Sequence, residues 1–325
     1  EVKEYTLTAN THSGEWDFDL LKEHYVELGD LGEFGIFEVS AIAGLDTSGL
    51  EGGRTTKEDN YVIPDEVQTD IVVGDLITIG PHRLMCGDAT NKDHLELLME
   101  GKVADLLLTD LPYGVSYASK NEFLNNLDKG NHVQTKIEND HIGSKELYGF
   151  AKSIYTTIEP FMSSTSSYYA FMPQGGEQMM MMMALDDSGF QVKHELIWIK
   201  NNHVLGRSDY NYKHEPICYG WKKKGTHKFY AGFKTSLFEF DKPVSSKLHP
   251  TMKPIALLAE LVGNSTKDGD IVVDPTSGSG STMVACHQSG RICYGLEIDP
   301  KYCQVIINRM MVIDPSLEIV IEKCN

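Results

Sequence analysis

The pattern of apolar and polar positions changes near residue 69. Residues 1–69 are acidic and weakly periodic, and residues 46–60 are polar and rich in glycine, which is typical of a loop or linker. Beyond residue 69, short apolar runs alternate with turn residues. The sequence therefore predicts an N-terminal extension over residues 1–69, serving as a linker or belonging to a truncated domain, and one larger domain over residues 70–325.

Strand and helix patterns alternate along the larger domain. Residues 70–79 and 82–86 predict a hairpin that turns at Gly80-Pro81. Further strands are predicted at 104–109, 167–172, 195–200, 216–221, 271–274 and 292–296, and helices at 95–99, 145–158, 177–186, 254–263, 282–288 and 301–311. This alternation implies right-handed crossovers and a mostly parallel sheet with helices on both faces. We expect a doubly wound α/β fold whose ligands bind at the carboxyl ends of the strands.

Composition narrows the class of protein. The 29 basic and 47 acidic residues give a net charge of -18, which disfavours non-specific coating of nucleic acid but leaves room for a local basic groove. No apolar run approaches the roughly 20 residues of a membrane span, and the acidic start lacks the basic region of a secretory signal, so we expect a cytoplasmic protein. Six cysteines without a C-x-x-C pair and twelve histidines without ligand spacing predict reduced thiols and no metal site.

A glycine-rich turn joins a predicted strand to a predicted helix between Asp274 and Thr282. Gly278 and Gly280 would let the backbone pass close to a bound cofactor. Glu297 ends the next strand, close to the spacing of about 20 residues at which an acid binds ribose hydroxyls. A dinucleotide or an adenosyl cofactor would fit, but Met283 stands where a dinucleotide fingerprint has its third glycine.

The second motif, Asp110-Leu111-Pro112-Tyr113, follows the strand 104–109. It combines an acid, a turn stiffened by proline and an aromatic face. An exocyclic amine is a weak nucleophile because its lone pair is delocalised into the ring, and a carboxylate with a carbonyl can localise the lone pair by accepting the two amine hydrogens. Together the two motifs suggest a methyl donor that meets an amino nucleophile.

Over residues 70–312 the chain resembles the amino-directed DNA methyltransferases that use S-adenosylmethionine, in the arrangement where the catalytic motif precedes the cofactor loop. The resemblance implies a Rossmann-like methyltransferase fold. The resemblance implies that the methionine end of the cofactor contacts Asp274, Gly278, Gly280, Ser281 and Thr282, and that its carboxylate contacts Thr251 and Lys253. It also implies that Glu297 binds the ribose and that Asp88 binds the amino group of the adenine. A solvated lysine at position 253 and a helix cap at Asp88 are the alternative interpretations.

The same resemblance gives roles to the catalytic motif. Asp110 and the Leu111 carbonyl would accept the amine hydrogens, Pro112 would stiffen the turn, and Tyr113 would stack on a base extruded from the duplex. Leu111 replaces the first of the family's two usual prolines, which removes some rigidity. The acidic first residue favours adenine over cytosine.

Residues 116–140 and 203–234 are predicted to be DNA-facing insertions, because the first is a long polar stretch and the second interleaves basic and aromatic residues. The residues expected to contact phosphates are Arg207, Lys213, Lys222, Lys223 and Lys224. Solvated surface turns are the alternative for these charges.

The sequence thus predicts a sequence-specific methyltransferase for adenine N6 in double-stranded DNA, in a bacterial or phage-infected cell. Cytosine N4, a glutamine amide in a protein, and a non-catalytic DNA-binding relative remain open, and an oxidoreductase is disfavoured by the incomplete glycine fingerprint. The resemblance alone suggests a homodimer. The sequence indicates neither a recognition sequence nor a restriction partner.

Overall fold

The computed structural model describes residues 56–59, 61–64, 66–112, 144–202, 209–241 and 252–323. The chain divides into two units, and the unit formed by residues 55–228 and 236–325 contains every helix and strand given below. Predicted features at residues 116–140, Tyr113, Arg207 and Thr251 lie outside the described residues. Within the described ranges, no helix has the length and apolar character needed to span a bilayer, and no cluster of acidic, histidine and cysteine side chains is arranged to hold a metal ion.

Ten strands and six α-helices are present among the described residues. The strands are β1 (Leu76–Ile79), β2 (His82–Cys86), β3 (Ala104–Thr109), β4 (Met162–Phe171), β5 (Phe190–Ile199), β6 (His214–Lys222), β7 (Leu237–Glu239), β8 (Ile271–Asp274), β9 (Ile292–Glu297) and β10 (Ile319–Glu322). The helices are α1 (Lys92–Met99), α2 (Ser144–Ile158), α3 (Gly176–Asp187), α4 (Ile255–Ser265), α5 (Ser281–Ser289) and α6 (Pro300–Ile313), and a 3-10 helix covers Glu159–Phe161.

These strands form one sheet in the order β10-β1-β2-β9-β8-β3-β4-β6-β5-β7. The five central strands, from β2 to β4 in that order, are parallel, which confirms the predicted fold class. Antiparallel pairs flank them, with β1 and β10 on one side and β6 and β5 on the other. At one edge, β7 pairs in parallel with β5. The sheet is thus parallel in its buried centre and antiparallel in the pairs that flank the centre.

Helices cover both faces of the sheet. Leu257 of α4, Val284 of α5 and Ile306 of α6 belong to one apolar cluster, and Leu95 of α1 and Tyr155 of α2 belong to the other, with residues of α3. The chain leaves β8 through α5 towards β9, and it leaves β3 through α2 towards β4. Because these crossovers diverge from adjacent strands, a crevice is expected between the carboxyl ends of β3 and β8.

The predicted hairpin is confirmed at its turn, where Ile79 pairs with His82 and Gly80 has a positive φ of 54°. Its first strand starts at Leu76 and not at residue 70 as predicted. Strands β4 and β5 start earlier than predicted, at Met162 and Phe190. Strands β7 and β10 were missed. Both are short, lie at the sheet edges and are largely exposed. The longer of their apolar runs, Ile319-Val320-Ile321, is shorter than the roughly 4–8 residues that predict a strand.

Candidate active site

The two sequence motifs meet at the carboxyl ends of adjacent strands. Thr276, in the glycine-rich turn after β8, donates its hydroxyl hydrogen to the backbone oxygen of Asp110 at 3.2 Å. The same hydroxyl lies 3.4 Å from Thr109 Oγ1. Asp110 and the cofactor loop therefore share one site, as the topology requires.

The Asp110 side chain is 30% exposed, so part of it is accessible to a substrate. Leu111 is fully buried and packs with the cluster beneath α1, α2 and α3. This burial gives a physical reason for the departure from proline: the apolar side chain anchors the backbone that a proline ring would otherwise stiffen. Pro112 follows and is partly exposed.

Lys253 is buried immediately before α4, and its partners are two acids. Lys253 Nζ lies 2.5 Å from Asp110 Oδ2 and 2.9 Å from Glu215 Oε1, and it sits 4.8 Å from the centre of the Phe171 ring. Burial acts to lower the pKa of Lys253, but Asp110 and Glu215 outweigh it and raise the pKa above its ordinary value, so the ammonium stays charged. The structure thus joins Lys253 to the catalytic motif, whereas the sequence had linked it to the cofactor.

Glu215, near the start of β6, completes a four-charge group with Lys200. Lys200 Nζ lies 2.6 Å from Glu215 Oε2, and both side chains are about nine-tenths buried. Burial acts to raise the pKa of Glu215, but the charges of Lys253 and Lys200 reverse the shift and lower the pKa to about 2. Sequence reasoning missed both residues. The available signal was an acid and a lysine at the ends of apolar strands, which no motif distinguishes from ordinary surface charges.

The cofactor loop needs glycine at two positions for different reasons. Gly278 has φ 52°, and a Cβ atom there would meet no atom within 4 Å, so the space above it is open. Gly280 has φ 83°, and a Cβ atom would lie 2.9 Å from Ile306 Cγ1. Gly278 leaves room for a ligand, and Gly280 lets α6 pack closely against the loop.

Two buried carboxylates border this loop. Glu297 Oε2 accepts a hydrogen bond from Gly278 N at 2.7 Å, and Asp274 accepts one from the Thr276 N–H and another from the Thr282 hydroxyl. Burial raises the pKa of each to about 7. Open space above Gly278 and two carboxylates that gain from a nearby cation or hydroxyl fit an adenosyl cofactor that carries a sulfonium, an ammonium and a ribose.

Ser281 and Asp88 have structural partners in addition to their predicted roles. Ser281 Oγ accepts a hydrogen bond from Arg309 Nη1 at 3.1 Å, behind the loop. Asp88 Oδ1 accepts bonds from the backbone N–H and the hydroxyl of Thr90, both at 2.8 Å. Asp88 does not cap α1, because Asn91 does. Asp88 nevertheless lies near Glu297, since Gly87 N donates to the Glu297 backbone oxygen.

The predicted DNA-contacting lysines lie near opposite ends of strand β6. Lys213 is exposed directly before β6, at the same end of the strands as the carboxyl end of β3. Lys222 ends β6 at the opposite edge, where its ammonium pairs with Glu159 at 2.9 Å and donates to the backbone oxygens of Glu159 and Met162. Lys223 pairs with Asp186. Lys222, Lys223 and Lys224 do not lie at the strand ends that carry Asp110, so we leave them out of the proposed DNA surface.

The fold and this site define an α/β enzyme of the Rossmann-like methyltransferase class. A family model described as DNA methylase, N6_N4_Mtase, matches residues 104–309. The chain belongs to this family, which confirms the resemblance seen in the sequence and, with it, S-adenosylmethionine as the methyl donor.

Individual relatives agree with this assignment. The type II methyltransferase M.Cfr9I of Citrobacter freundii is 28% identical over 140 residues, covering 39% of this chain and 47% of the relative. M2.DpnII of Streptococcus pneumoniae is 27% identical over 145 residues, covering 39% and 54%. The chain thus spans about half the length of the curated relatives it matches.

Solved structures share the fold. M1.HpyAVI superposes with a TM-score of 0.50 at 23% identity, covering 70% of this chain and 97% of the other. The PvuII DNA methyltransferase, which is cytosine-N4-specific, gives a TM-score of 0.51 at 14% identity, covering 72% and 95%.

Proposed function

We propose that this protein transfers a methyl group from S-adenosylmethionine to the exocyclic N6 amine of adenine in double-stranded DNA. The observation that carries the proposal is the position of the Asp110 carboxylate beside the cofactor loop, where Thr276 binds its backbone and Lys253 its side chain. We assign this activity to a domain over residues 70–325, with DNA-facing insertions at 116–140 and 203–234 and an extension over residues 1–69.

The cofactor supplies an electrophilic methyl group on a sulfonium. The residues that would hold it are Asp274, Thr282, Gly278 and Glu297, which border the open space of the loop, with Asp88 beside Glu297. Asp110 accepts one hydrogen of the target amine, and the Leu111 carbonyl accepts the other. These two hydrogen bonds localise the amine lone pair, and the carboxylate is placed to take the proton that the amine loses.

Lys253 prepares Asp110 for this role. The ion pair between Lys253 Nζ and Asp110 Oδ2 holds the partly buried carboxylate in place beside the cofactor loop. Glu215 holds the second side of the same ammonium, so Lys253 is fixed between two acids.

DNA binding has to be local in a chain with a net charge of -18, since general electrostatic attraction to phosphates is weak or repulsive. Lys213 lies at the edge of the sheet that carries the site, and we propose that Arg207 joins it in contacting phosphates. Tyr113 would stack on the flipped base.

Cytosine N4 is the second candidate, because the same two acceptors serve any exocyclic amine and the family model covers both bases. Expression in a bacterial strain that lacks DNA methyltransferases, followed by modified-base sequencing and mass spectrometry of nucleosides, tests the proposal. We expect N6-methyladenine within one short sequence motif. N4-methylcytosine would transfer the activity to the other base. Absence of both, with S-adenosylmethionine binding retained, would indicate a non-catalytic relative.

A homodimer remains a prediction, and the presence of an accompanying restriction enzyme is an open question. Sedimentation of the purified protein with and without DNA tests the first. The open reading frames beside the gene, assayed for cleavage of unmethylated DNA, test the second.

A further inference from the structure

Three residues upstream of the predicted domain contact the elements around the cofactor loop. Lys57 exchanges two hydrogen bonds with Gln288 of α5, at 2.7 and 3.0 Å. Glu58 accepts a bond from Ala256 N at the start of α4, at 3.3 Å. Asp59 binds Arg309 of α6. We call residues 57–59 the clasp. It lies outside the family match, which begins at residue 104, and inside the region that the sequence suggested was a linker.

Arg309 is the central residue of this arrangement. Its side chain is 1% exposed, and that of Asp59 is 6% exposed. Arg309 Nε and Nη2 bind the two carboxylate oxygens of Asp59 at 2.5 and 3.2 Å. Such a two-point contact between guanidinium and carboxylate fixes direction as well as distance.

The remaining nitrogen of Arg309 reaches the cofactor loop. Arg309 Nη1 donates to Ser279 O at 2.9 Å, to Ser279 Oγ at 3.3 Å and to Ser281 Oγ at 3.1 Å. Ser279 stands between Gly278 and Gly280, the two loop residues with positive φ. One guanidinium therefore joins the clasp to the part of the backbone that has the greatest conformational freedom.

The same helix supports the loop by packing. Ile306 lies three residues before Arg309 on α6, so the two side chains share one helix face, and Ile306 closes the space behind Gly280. A buried guanidinium needs its carboxylate, because an uncompensated buried charge is costly. Without Asp59, we expect the Arg309 side chain to move away from the loop and to form hydrogen bonds with water. Ser279 would then lose its hydrogen bonds from Arg309.

We propose that Asp59 and Arg309 are positioning residues that hold the cofactor loop in its binding conformation, so that the clasp sets the affinity for the cofactor. This inference rests on the proposed function only in taking S-adenosylmethionine as the ligand of the loop.

The test is Asp59→Asn in the full chain, which keeps the shape and removes the charge. Calorimetry without DNA gives the Kd for S-adenosylmethionine. We expect Kd and KM for the cofactor to rise by about tenfold or more, while kcat at saturating cofactor stays within about threefold. The reason is that the substitution weakens the positioning of the loop for cofactor binding and does not affect the methyl transfer itself. Affinity for DNA should not change.

Glu159→Gln is the matched control. It also removes one carboxylate from an ion pair, here with Lys222, at the edge of the sheet opposite the loop. We expect its cofactor Kd to stay within about twofold of the wild-type value. Arg309→Lys is the second variant: it keeps the charge but loses the two-point geometry, and we expect a weakened cofactor affinity in a protein that folds.

An unchanged Kd in folded Asp59→Asn or Arg309→Lys protein would overturn the inference. So would a fall in the active fraction with an unchanged Kd in the remaining protein, which marks a purely structural role. If the wild type binds S-adenosylmethionine but methylates no DNA, the proposed function fails, and the Kd comparison still decides the role of the clasp.

Discussion

Lys253 Nζ lies 2.5 Å from Asp110 Oδ2, so the lysine that the resemblance assigned to the cofactor carboxylate contacts the proposed catalytic acid. Replacement by methionine, Lys253→Met, keeps the length of the side chain and leaves Asp110 and Glu215 close together without their shared cation. We expect kcat for methylation to fall by about 100-fold, because the Asp110 carboxylate loses the cation that fixes its position and faces the like charge of Glu215 without compensation.

The contrast between kcat and KM decides what Lys253 does. A rise in the cofactor KM with little change in kcat would instead show that Lys253 serves the cofactor carboxylate. Lys222→Met is the control, because Lys222 is also a partly buried lysine in an ion pair but lies at the opposite edge of the sheet. Single-turnover methylation of one DNA duplex measures all three proteins.

Glu215 should matter for stability as well as for rate. Glu215→Gln leaves Lys253 and Lys200 with one fewer counter-charge at a site where both lysines are about nine-tenths buried. Breaking a buried ion pair costs about 3 kcal/mol, and we expect the unfolding free energy in urea to fall by roughly that amount. We also expect kcat to fall by about tenfold as Lys253 loses its fixed position. Wild-type kcat in a destabilised variant would limit Glu215 to a structural role.

The sequence predicted the parts of the site that are local in the chain. Strands β3 and β8 were predicted with the bounds that the structure has, because strands buried on both faces appear as continuous apolar runs. Asp110, Gly278 and Glu297 follow from their positions at strand ends. Once the sheet is known to be doubly wound, these residues must lie at one edge.

The contacts that sequence reasoning missed join residues far apart in the chain. Glu215 meets Lys253 and Lys200, and Asp59 meets Arg309. Each member alone resembles a solvated surface charge, since charged side chains are ordinarily exposed. Only the packing of β6 beside β4 and of α6 behind the loop brings them together, and no spacing rule encodes that packing.

The two loop glycines should give separable effects on substitution. Gly280→Ala places a Cβ atom 2.9 Å from Ile306 Cγ1 at φ 83°, and we expect a loss of unfolding free energy of about 1–2 kcal/mol from the left-handed conformation, with more from the clash. Gly278→Ala has the same conformational cost but fills open space, so it should weaken cofactor binding further.

Chemical denaturation and cofactor calorimetry on both variants separate the effects. Ile306→Ala removes both γ carbons that a Cβ atom at position 280 would meet, so Gly280→Ala should cost less stability in the Ile306→Ala background than in the wild type. Equal cofactor Kd values for Gly278→Ala and Gly280→Ala would contradict the distinction between a ligand-facing and a helix-facing glycine.

Cofactor affinity should depend on pH through Asp274 and Glu297. Burial raises the pKa of each carboxyl to about 7, so both are partly protonated near neutrality in the free protein. A ligand with a sulfonium and an ammonium favours the ionised forms. We therefore expect S-adenosylmethionine to bind more tightly as the pH rises from about 6 to about 8, with release of protons.

The stability of the free protein should change with pH in the opposite direction to the cofactor affinity. The folded pKa values of these two groups exceed their unfolded values, so their contribution to stability is complete below about pH 4 and is lost as the pH rises through about 7. Calorimetry in buffers of different ionisation enthalpy measures the protons released on binding, and Asp274→Asn should reduce that number. Binding without proton release near pH 7 would contradict the predicted coupling.

A pair of histidines, His82 at the start of β2 and His287 of α5, should govern stability in acid. His82 Nδ1 accepts a hydrogen bond from Cys293 N at 3.0 Å, so the proton of the neutral ring is on Nε2, which lies 3.2 Å from His287 Nδ1. Burial, followed by the effect of His287, lowers the pKa of His82 to about 3. Because the unfolded value is about 6.5, this group's contribution to stability is complete above that pH and is lost as the pH falls towards 3.

We expect His82→Gln to flatten the decline in unfolding free energy between about pH 6.5 and about pH 4, measured by urea denaturation, while methylation at neutral pH stays unchanged. A decline as steep as that of the wild type would assign the acid sensitivity to other groups.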